Sequence, residues 1–267
     1  MNTIIISVLV VAGSGLIIGL ILSLAGKKFA VETDERESLV REALPGNNCG
    51  GCGFPGCDGA AAAVVSGKAP VTVCPVGGAA VAGKIGEIMG QEVGDTERMV
   101  AYVRCSGIWG VTKKQYEYSG VDSCAMVSLL PGGGPKACTH GCMGFGDCVK
   151  ACQFGAISIW SGVARVDRDA CKACGACIKA CPRGLIELVP YEKNPYRVAC
   201  NTKDRGKAVM DVCGAGCIGC KKCEKNCPVG AVTVQNGAAH IQYDLCINCG
   251  TCAEQCPKGC IIKWEKR

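Results

Sequence analysis

The chain has 267 residues, of which 25 are cysteine and 38 are glycine, and only 5% are aromatic. This length allows two or three small domains, and so few aromatic residues argue against one large aromatic-rich core. The formal net charge of +6 treats every cysteine as a neutral thiol, so it supports no nucleic-acid partner if the thiols bind metal. Cysteine at this frequency indicates a disulfide framework or metal ligation, and the spacings below favour metal in a reducing compartment.

The first predicted element is an uncharged apolar run that covers positions 4–24. As a helix at ~1.5 Å per residue it would be about 31 Å long, enough to cross a bilayer. Lys27 and Lys28 follow the run and no charged residue precedes it. We therefore predict a single-pass anchor, residues 1–28, in the cell (cytoplasmic) membrane, with the rest of the chain on the cytoplasmic side. A cleaved signal peptide is the alternative, but it would have a basic start and a shorter apolar core.

Residues 29–94 form the second predicted unit, a small α-rich domain. It contains the glycine-rich stretch NNCGGCGFPGCDG, an alanine-rich helical stretch and then Cys74-Pro75. The spacing C-x2-C-x4-C-x16-C can close one [4Fe–4S] cluster, and zinc is the alternative because thiolates bind both. The predicted ligands are Cys49, Cys52, Cys57 and Cys74.

Two regular cysteine runs lie near the C-terminal end of the chain. Each reads C-x2-C-x2-C-x3-C-P, the bacterial ferredoxin pattern in which three cysteines bind one cluster and the fourth binds the other. Zinc sites more often show two CxxC pairs. The pattern predicts two [4Fe–4S] clusters, one held by Cys217, Cys220, Cys223 and Cys256, the other by Cys227, Cys246, Cys249 and Cys252.

The region from Cys138 onwards is an internal repeat in which Cys138 aligns with Cys213 and Cys181 aligns with Cys256. The stretch AISIWSGVARVDRDAC matches AVTVQNGAAHIQYDLC, and the alternating residues around Ser-Gly or Asn-Gly predict hairpins. We predict an α+β chain with two tandem two-cluster ferredoxin units, residues 136–189 and 214–267. Residues 95–135 and 190–213 are the linking or inserted segments.

One position breaks the repeat, because Phe145 stands where the second copy has Cys220. We infer that Cys138 supplies the missing ligand. The first unit then holds two clusters, one on Cys138, Cys142, Cys148 and Cys181, the other on Cys152, Cys171, Cys174 and Cys177.

Five cysteines remain, and Cys260 aligns with apolar positions where cysteine serves as a small hydrophobe. The other four are the hypothetical ligands of a sixth cluster between the inserted segments; the alternative is four unrelated buried thiols. They are Cys105, Cys124, Cys200 and Cys213. Six clusters at about −2 each would turn the formal charge of +6 to roughly −6, so we predict no nucleic-acid partner.

No nucleophile–base pair or phosphate loop appears, so we predict no catalytic residue. The formal GxGxxG of residues 214–219 ends inside a cysteine loop, where no helix can begin, which disfavours a dinucleotide site. Lys221, Lys222 and Lys225 flank a predicted cluster. They could dock an acidic redox partner or form a solvated charge run.

The order of apolar run, CGGCGFPGC…CP domain and ferredoxin repeats resembles the B subunit of Rnf-type ferredoxin:NAD oxidoreductase complexes. The resemblance covers nearly the whole chain. It implies a membrane complex that moves electrons from reduced ferredoxin towards NAD, coupled to sodium or proton translocation, with this subunit as the cytoplasmic electron entry. The second ferredoxin unit, Phe145 and Gln153 depart from the simplest members and leave the order of the clusters open.

We therefore expect an electron-transfer subunit that takes electrons from reduced ferredoxin at its C-terminal domain and passes them towards the other, membrane-embedded subunits. A polyferredoxin subunit of another assembly, such as a hydrogenase or a corrinoid-activating system, is the first alternative. A zinc-stabilised scaffold without electron transfer is the second.

Overall fold

The computed structural model describes residues 2–28, 34–94 and 97–264. Its first helix, α1 (Asn2–Lys28), covers the apolar run, and described side chains such as Leu16 and Leu22 are exposed. Over the residues that the structure describes, no helix is long and apolar enough to cross a membrane. The predicted membrane span is thus not confirmed.

Three helices build the next unit: α2 (Glu35–Ala43), α3 (Gly56–Val65) and α4 (Gly78–Met89). The Asp34 carboxylate caps α2 by accepting a hydrogen bond of 2.9 Å from the Arg36 amide. Val40 and Ile85 are fully buried between the helices. The result is a small α-rich core with the first four cysteines at its edge.

The first ferredoxin unit is a hairpin flanked by short helices. Strands β2 (Ile157–Trp160) and β3 (Val163–Val166) pair antiparallel, and Ser161 and Gly162 make the turn with positive φ. The helices that flank the hairpin are α6 (Asp147–Lys150) and α7 (Ala176–Ala180). Another short helix, α5 (Cys124–Val127), precedes them in the inserted segment. A one-turn 3-10 helix spans Pro131–Gly133.

The second unit repeats this arrangement. Strands β6 (Val232–Gln235) and β7 (Ala238–Ile241) form its hairpin. Its helices are α9 (Lys222–Lys225) and α10 (Thr251–Glu254), and α8 (Lys207–Val212) precedes them in the inserted segment. The hairpin strands and the helices α6 and α7 of the first unit thus recur at the aligned positions of the second, as the sequence repeat predicts.

Each inserted segment adds a strand to one ferredoxin unit. Strand β1 (Met99–Val103) pairs antiparallel with β4 (Ile186–Pro190), and β5 (Tyr196–Val198) pairs antiparallel with β8 (Ile261–Lys263). These segments are therefore structural parts of the two units and not only connections between them.

The two units meet around a buried arginine. Arg197 is fully buried, donates hydrogen bonds to the carbonyls of Pro190 (2.6 Å), Tyr196 (2.9 Å) and Asn194, and lies over the Tyr243 ring at 4.6 Å. Because Pro190 ends β4 of the first unit, this guanidinium ties the units together.

Replacing Arg197 by Met should destabilise the protein, because buried carbonyls lose a charged donor that methionine cannot replace. We expect a loss of roughly 2–4 kcal/mol, or about 4–8 °C in the thermal midpoint for a chain of this size. Far-UV circular dichroism under anaerobic conditions measures it. The control is Lys193→Met, whose side chain is 73% exposed and should shift the midpoint little; equal shifts for both variants would contradict the role of Arg197.

Candidate iron–sulfur sites

The N-terminal cysteine loop closes onto the start of α3. The Asn48 side-chain oxygen accepts a hydrogen bond of 2.7 Å from the amide of Cys57, and Cys52, Cys57 and Cys74 pack at the edge of the same core. The Gly77 amide points at the sulfur of Cys74 at 3.4 Å. Burial raises the pKa of the Cys74 thiol, and the neighbouring Cys52 and Cys57 raise it further.

In the first ferredoxin unit, one group of cysteines lines a space of about 310 Å³ beneath β1. The backbone amide of Ala101, on that strand, donates to the sulfur of Cys171 at 3.4 Å. The group consists of Cys152, Cys171, Cys174 and Cys177.

The second group of this unit differs from the prediction. Its cysteines line a space of about 350 Å³, and Cys124 takes the place predicted for Cys138. The group consists of Cys124, Cys142, Cys148 and Cys181.

A helix contact explains the exchange. The Asp147 carboxylate, at the start of α6, accepts hydrogen bonds from the Ala125 amide (2.9 Å) and the Ser123 hydroxyl (3.1 Å). These bonds dock α5 against α6 and bring Cys124 beside Cys148. Phe145 instead packs edge-to-face on Tyr118 at 5.1 Å, so the inserted segment carries the cysteine that the repeat lacks.

The C-terminal unit contains the two groups expected from its runs. One lines a space of about 310 Å³ and consists of Cys217, Cys220, Cys223 and Cys256, with Cys260 also against it. In the other, Cys227, Cys246 and Cys249 are the charge neighbours of Cys252. Cys260 is buried as predicted, but its sulfur also lies 3.4 Å from that of Cys256, and this hydrogen bond lowers the pKa of Cys256 to about 5.

A further space of about 450 Å³ lies between the two ferredoxin units. Its cysteines include three of the four predicted for a sixth cluster, together with Cys138. The structure thus places Cys138 in this space and Cys124 with Cys142, Cys148 and Cys181, the reverse of the predicted assignment.

Burial keeps many of these thiols neutral when no metal competes for them. It raises the pKa of Cys148 to about 12 and that of Cys177 to about 11, and the neighbouring cysteines add to both shifts. Metal binding must therefore displace a proton from these sulfurs.

The donor sets fit [4Fe–4S] clusters. Four or five cysteines line each of the spaces described above. Backbone amides point at several sulfurs, among them Leu185 to Cys181 at 3.4 Å and Ala164 to Cys142 at 3.5 Å. Such N–H···S bonds are typical of cluster environments. Within the described ranges, no group of three or more His, Cys, Asp or Glu side chains is arranged to hold a single metal ion.

Comparison with known proteins agrees with this chemistry. Residues 44–76 match a family model described as an Fe-S cluster, and residues 170–231 and 216–261 match models of a 4Fe-4S dicluster domain. The match over residues 170–231 spans the end of the first unit and the start of the second. In the structure the cysteines of these two parts lie in different hydrophobic clusters, one in each unit.

Three relatives align with most of the chain. The B subunit of an ion-translocating oxidoreductase complex from Methanosarcina acetivorans is 44% identical over 89% of this chain and 90% of its own length. The chain belongs to this family of Rnf B subunits. Also similar is the B subunit of the Na⁺-translocating complex of Acetobacterium woodii, which is 43% identical over 91% of this chain and 73% of its own length. The B subunit of the proton-translocating complex of Clostridium ljungdahlii is 42% identical over 92% of this chain and 86% of its own length. Both are named as subunits of ferredoxin:NAD⁺ oxidoreductase complexes.

The family membership confirms the resemblance inferred from the sequence. The chain is an iron–sulfur electron-transfer subunit of an Rnf-type complex, and neither a hydrogenase polyferredoxin nor a zinc scaffold accounts for the matches. The inserted strands and the buried cations near the cysteine groups were missed by sequence reasoning.

The N-terminal cysteine loop contacts the first ferredoxin unit. A Cβ added to Gly51 would lie 2.7 Å from the carbonyl oxygen of Cys174, and Cys49 is a charge neighbour of Cys174. The two cysteine loops are therefore packed backbone to backbone, which only glycine allows at residue 51.

We expect Gly51→Ala to separate these loops, because its methyl group meets main-chain atoms that cannot rotate away. Hydrogen exchange should become faster in peptides covering residues 49–53 and 172–177. The matched control is Gly83→Ala in α4, where an added Cβ has no atom within 4 Å. Unchanged exchange at both loops in Gly51→Ala would show that the contact is not needed.

Proposed function

We propose that this chain accepts electrons from a reduced ferredoxin and passes them to the membrane subunits of an Rnf-type ferredoxin:NAD oxidoreductase that translocates ions. The observation that carries the proposal is a series of neighbouring cysteine groups that begins at exposed cysteines in the C-terminal unit and reaches the N-terminal domain. The names of the relatives from Acetobacterium and Clostridium agree with a ferredoxin donor.

Five groups of four cysteines would hold [4Fe–4S] clusters in this function. When bound, such clusters supply one-electron redox chemistry without bond making, so the subunit needs no catalytic side chain. The proposed groups are Cys49, Cys52, Cys57 and Cys74; Cys152, Cys171, Cys174 and Cys177; Cys124, Cys142, Cys148 and Cys181; Cys217, Cys220, Cys223 and Cys256; and Cys227, Cys246, Cys249 and Cys252.

Electron entry at the C-terminal unit is supported by exposure and charge. Of the 25 cysteines, all of which lie in the described ranges, only Cys220 and Cys249 are exposed. Lys221 and Lys222, both exposed, directly follow Cys220, and the Ile247 side chain near Cys249 is 60% exposed. An acidic partner could bind the basic side chains and pack on the apolar one, close to the exposed cysteines. Such a small, charged contact surface suits a transient redox complex.

Reversing these charges tests the entry site. Lys221→Glu combined with Lys222→Glu should slow the reduction of the chain by reduced ferredoxin roughly tenfold at low ionic strength, because electrostatic steering is lost. Raising the salt concentration should reduce the difference from wild type. Stopped-flow absorbance measures both effects.

The control for that experiment reverses two exposed lysines of the N-terminal domain, so the change of charge is the same. Lys68→Glu combined with Lys84→Glu should leave the rate nearly unchanged. Equal slowing by the two double variants would mean that overall charge, and not the C-terminal face, sets the rate.

We also propose that residues 1–28 anchor the chain in the membrane, with the cysteine domains on the cytoplasmic side. The support is the uncharged apolar run followed by Lys27 and Lys28, together with relatives named as subunits of ion-translocating complexes. Apolar side chains on α1 are exposed, and their contact with water would be unfavourable.

Deleting residues 1–28 should leave a coloured, reducible protein that no longer joins the membrane complex. Co-purification with the other subunits from solubilised membranes measures assembly, and absorbance on dithionite reduction measures cluster content. A truncated chain that still assembles and supports ferredoxin-dependent NAD reduction would rule out the anchor.

A further inference from the structure

We propose that Cys105, Cys138, Cys200 and Cys213 bind an additional [4Fe–4S] cluster between the two ferredoxin units. This site lies outside the ferredoxin cysteine pattern and adds to the five groups described above. It does not depend on the identity of the electron donor.

The four side chains converge from separate parts of the chain onto one space. A Cβ on Gly141 would lie 3.2 Å from the sulfur of Cys138 and 3.4 Å from that of Cys105. A Cβ on Gly107 would lie 3.5 Å from the sulfur of Cys105 and 3.7 Å from that of Cys213. Glycine at both positions therefore leaves room where three of the sulfurs approach one another.

The internal repeat gives an independent reason for this ligand set. In the pairing of β1 with β4, Val103 lies opposite Ile186; in the pairing of β5 with β8, Val198 lies opposite Ile261. Ile186 and Ile261 occupy the same position in the two copies of the repeat, so Val103 and Val198 are structurally equivalent too.

Cys105 and Cys200 each lie two positions beyond these equivalent valines. The main-chain bonds agree, because the amide of Arg104 donates to the carbonyl of Leu185 (2.8 Å) and that of Ala199 donates to the carbonyl of Cys260 (2.7 Å). Leu185 and Cys260 are again equivalent in the repeat, as are Cys138 and Cys213. Each unit thus contributes the same pair of cysteines to one shared site.

Hydrogen-bond donors surround the sulfurs. The amides of Gly107 (3.4 Å) and Cys142 (3.3 Å) both point at the sulfur of Cys105. The Cys217 amide points at that of Cys200 at 3.3 Å. Thiolates bound to a cluster accept such bonds, and Cys105 and Cys213 are only 7% and 8% exposed.

Two buried cations line the same space. Lys136 is 2% exposed and donates to the carbonyls of Gly107 (2.8 Å) and Gly162 (2.6 Å); Arg104 is 7% exposed and donates to the carbonyl of Cys200 at 3.4 Å. Burying a cation is unfavourable unless negative charge is close. Arg104 has the Glu187 carboxylate at 3.7 Å. For Lys136, a cluster with four thiolates, at about −2 when oxidised, supplies that charge.

The site also joins the neighbouring groups. Cys142, whose amide contacts Cys105, belongs to a group of the first unit, and Cys217, whose amide contacts Cys200, belongs to a group of the second. A cluster here would therefore lie between a group of the first unit and a group of the second.

Metal analysis of the full-length chain, purified anaerobically, tests the proposal. Wild type should contain about 24 iron atoms, at four per cluster. Cys105→Ala and Cys213→Ala should each contain about 20. The double variant should also contain about 20, because both cysteines serve one cluster. Combining Cys213→Ala with Cys220→Ala, at a different group, should leave about 16.

Two results would overturn the site: about 20 iron atoms in wild type with no loss in either single variant, or a double variant of Cys105 and Cys213 that loses twice as much iron as each single one. Circular dichroism checks the fold of the variants. If alanine prevents folding, the wild-type iron and sulfide count still decides. Cys213→Ser, which offers an oxygen ligand, should then keep the iron and change the paramagnetic-resonance signal of one reduced cluster only.

Discussion

Ligation by thiolates from distant parts of the chain is the constraint on which this structure depends. Cys124 shares a group with Cys181, and Cys217 shares one with Cys256, so each group closes a long loop. The hydrophobic clusters around them are small and rich in valine, alanine and cysteine. A core of this kind gains much of its stability from bound metal, because a preformed site rarely exists in an unfolded chain.

The inserted segments show how a duplicated ferredoxin becomes one continuous unit. Each adds a strand that pairs with the last strand of a unit and forms a two-stranded sheet with it. The segment that runs from Cys105 to Cys138 is longer than its counterpart from Cys200 to Cys213. That extra length contains Cys124, which lies with Cys142, Cys148 and Cys181 in the copy that has Phe145 in place of a cysteine.

Positively charged side chains also lie beside the cysteine groups. Lys136, Arg183 and Arg104 are largely buried beside the cysteine groups, where their main-chain hydrogen bonds hold them in place. Burial lowers the pKa of Lys136 and nearby thiolates raise it, so this cation and a metal bound by those thiolates would stabilise each other. The formal charge of +6 is therefore a poor guide to the electrostatics of the metal-bound chain.

The amino-acid sequence by itself determined the dicluster pattern of the second unit, the hairpins, the internal repeat and the family. These features rest on short-range spacing and on turn residues such as Asn236-Gly237. The partners of Cys124 and Cys138 were decided only by the tertiary structure. Neither cysteine has a fixed sequence spacing to the group it joins. Both are close enough along the chain to reach the group of Cys142, Cys148 and Cys181. The hydrogen bonds of Asp147 to α5 and the equivalence of β1 and β5 made the choice, and neither contact between distant residues leaves a periodic pattern in the sequence.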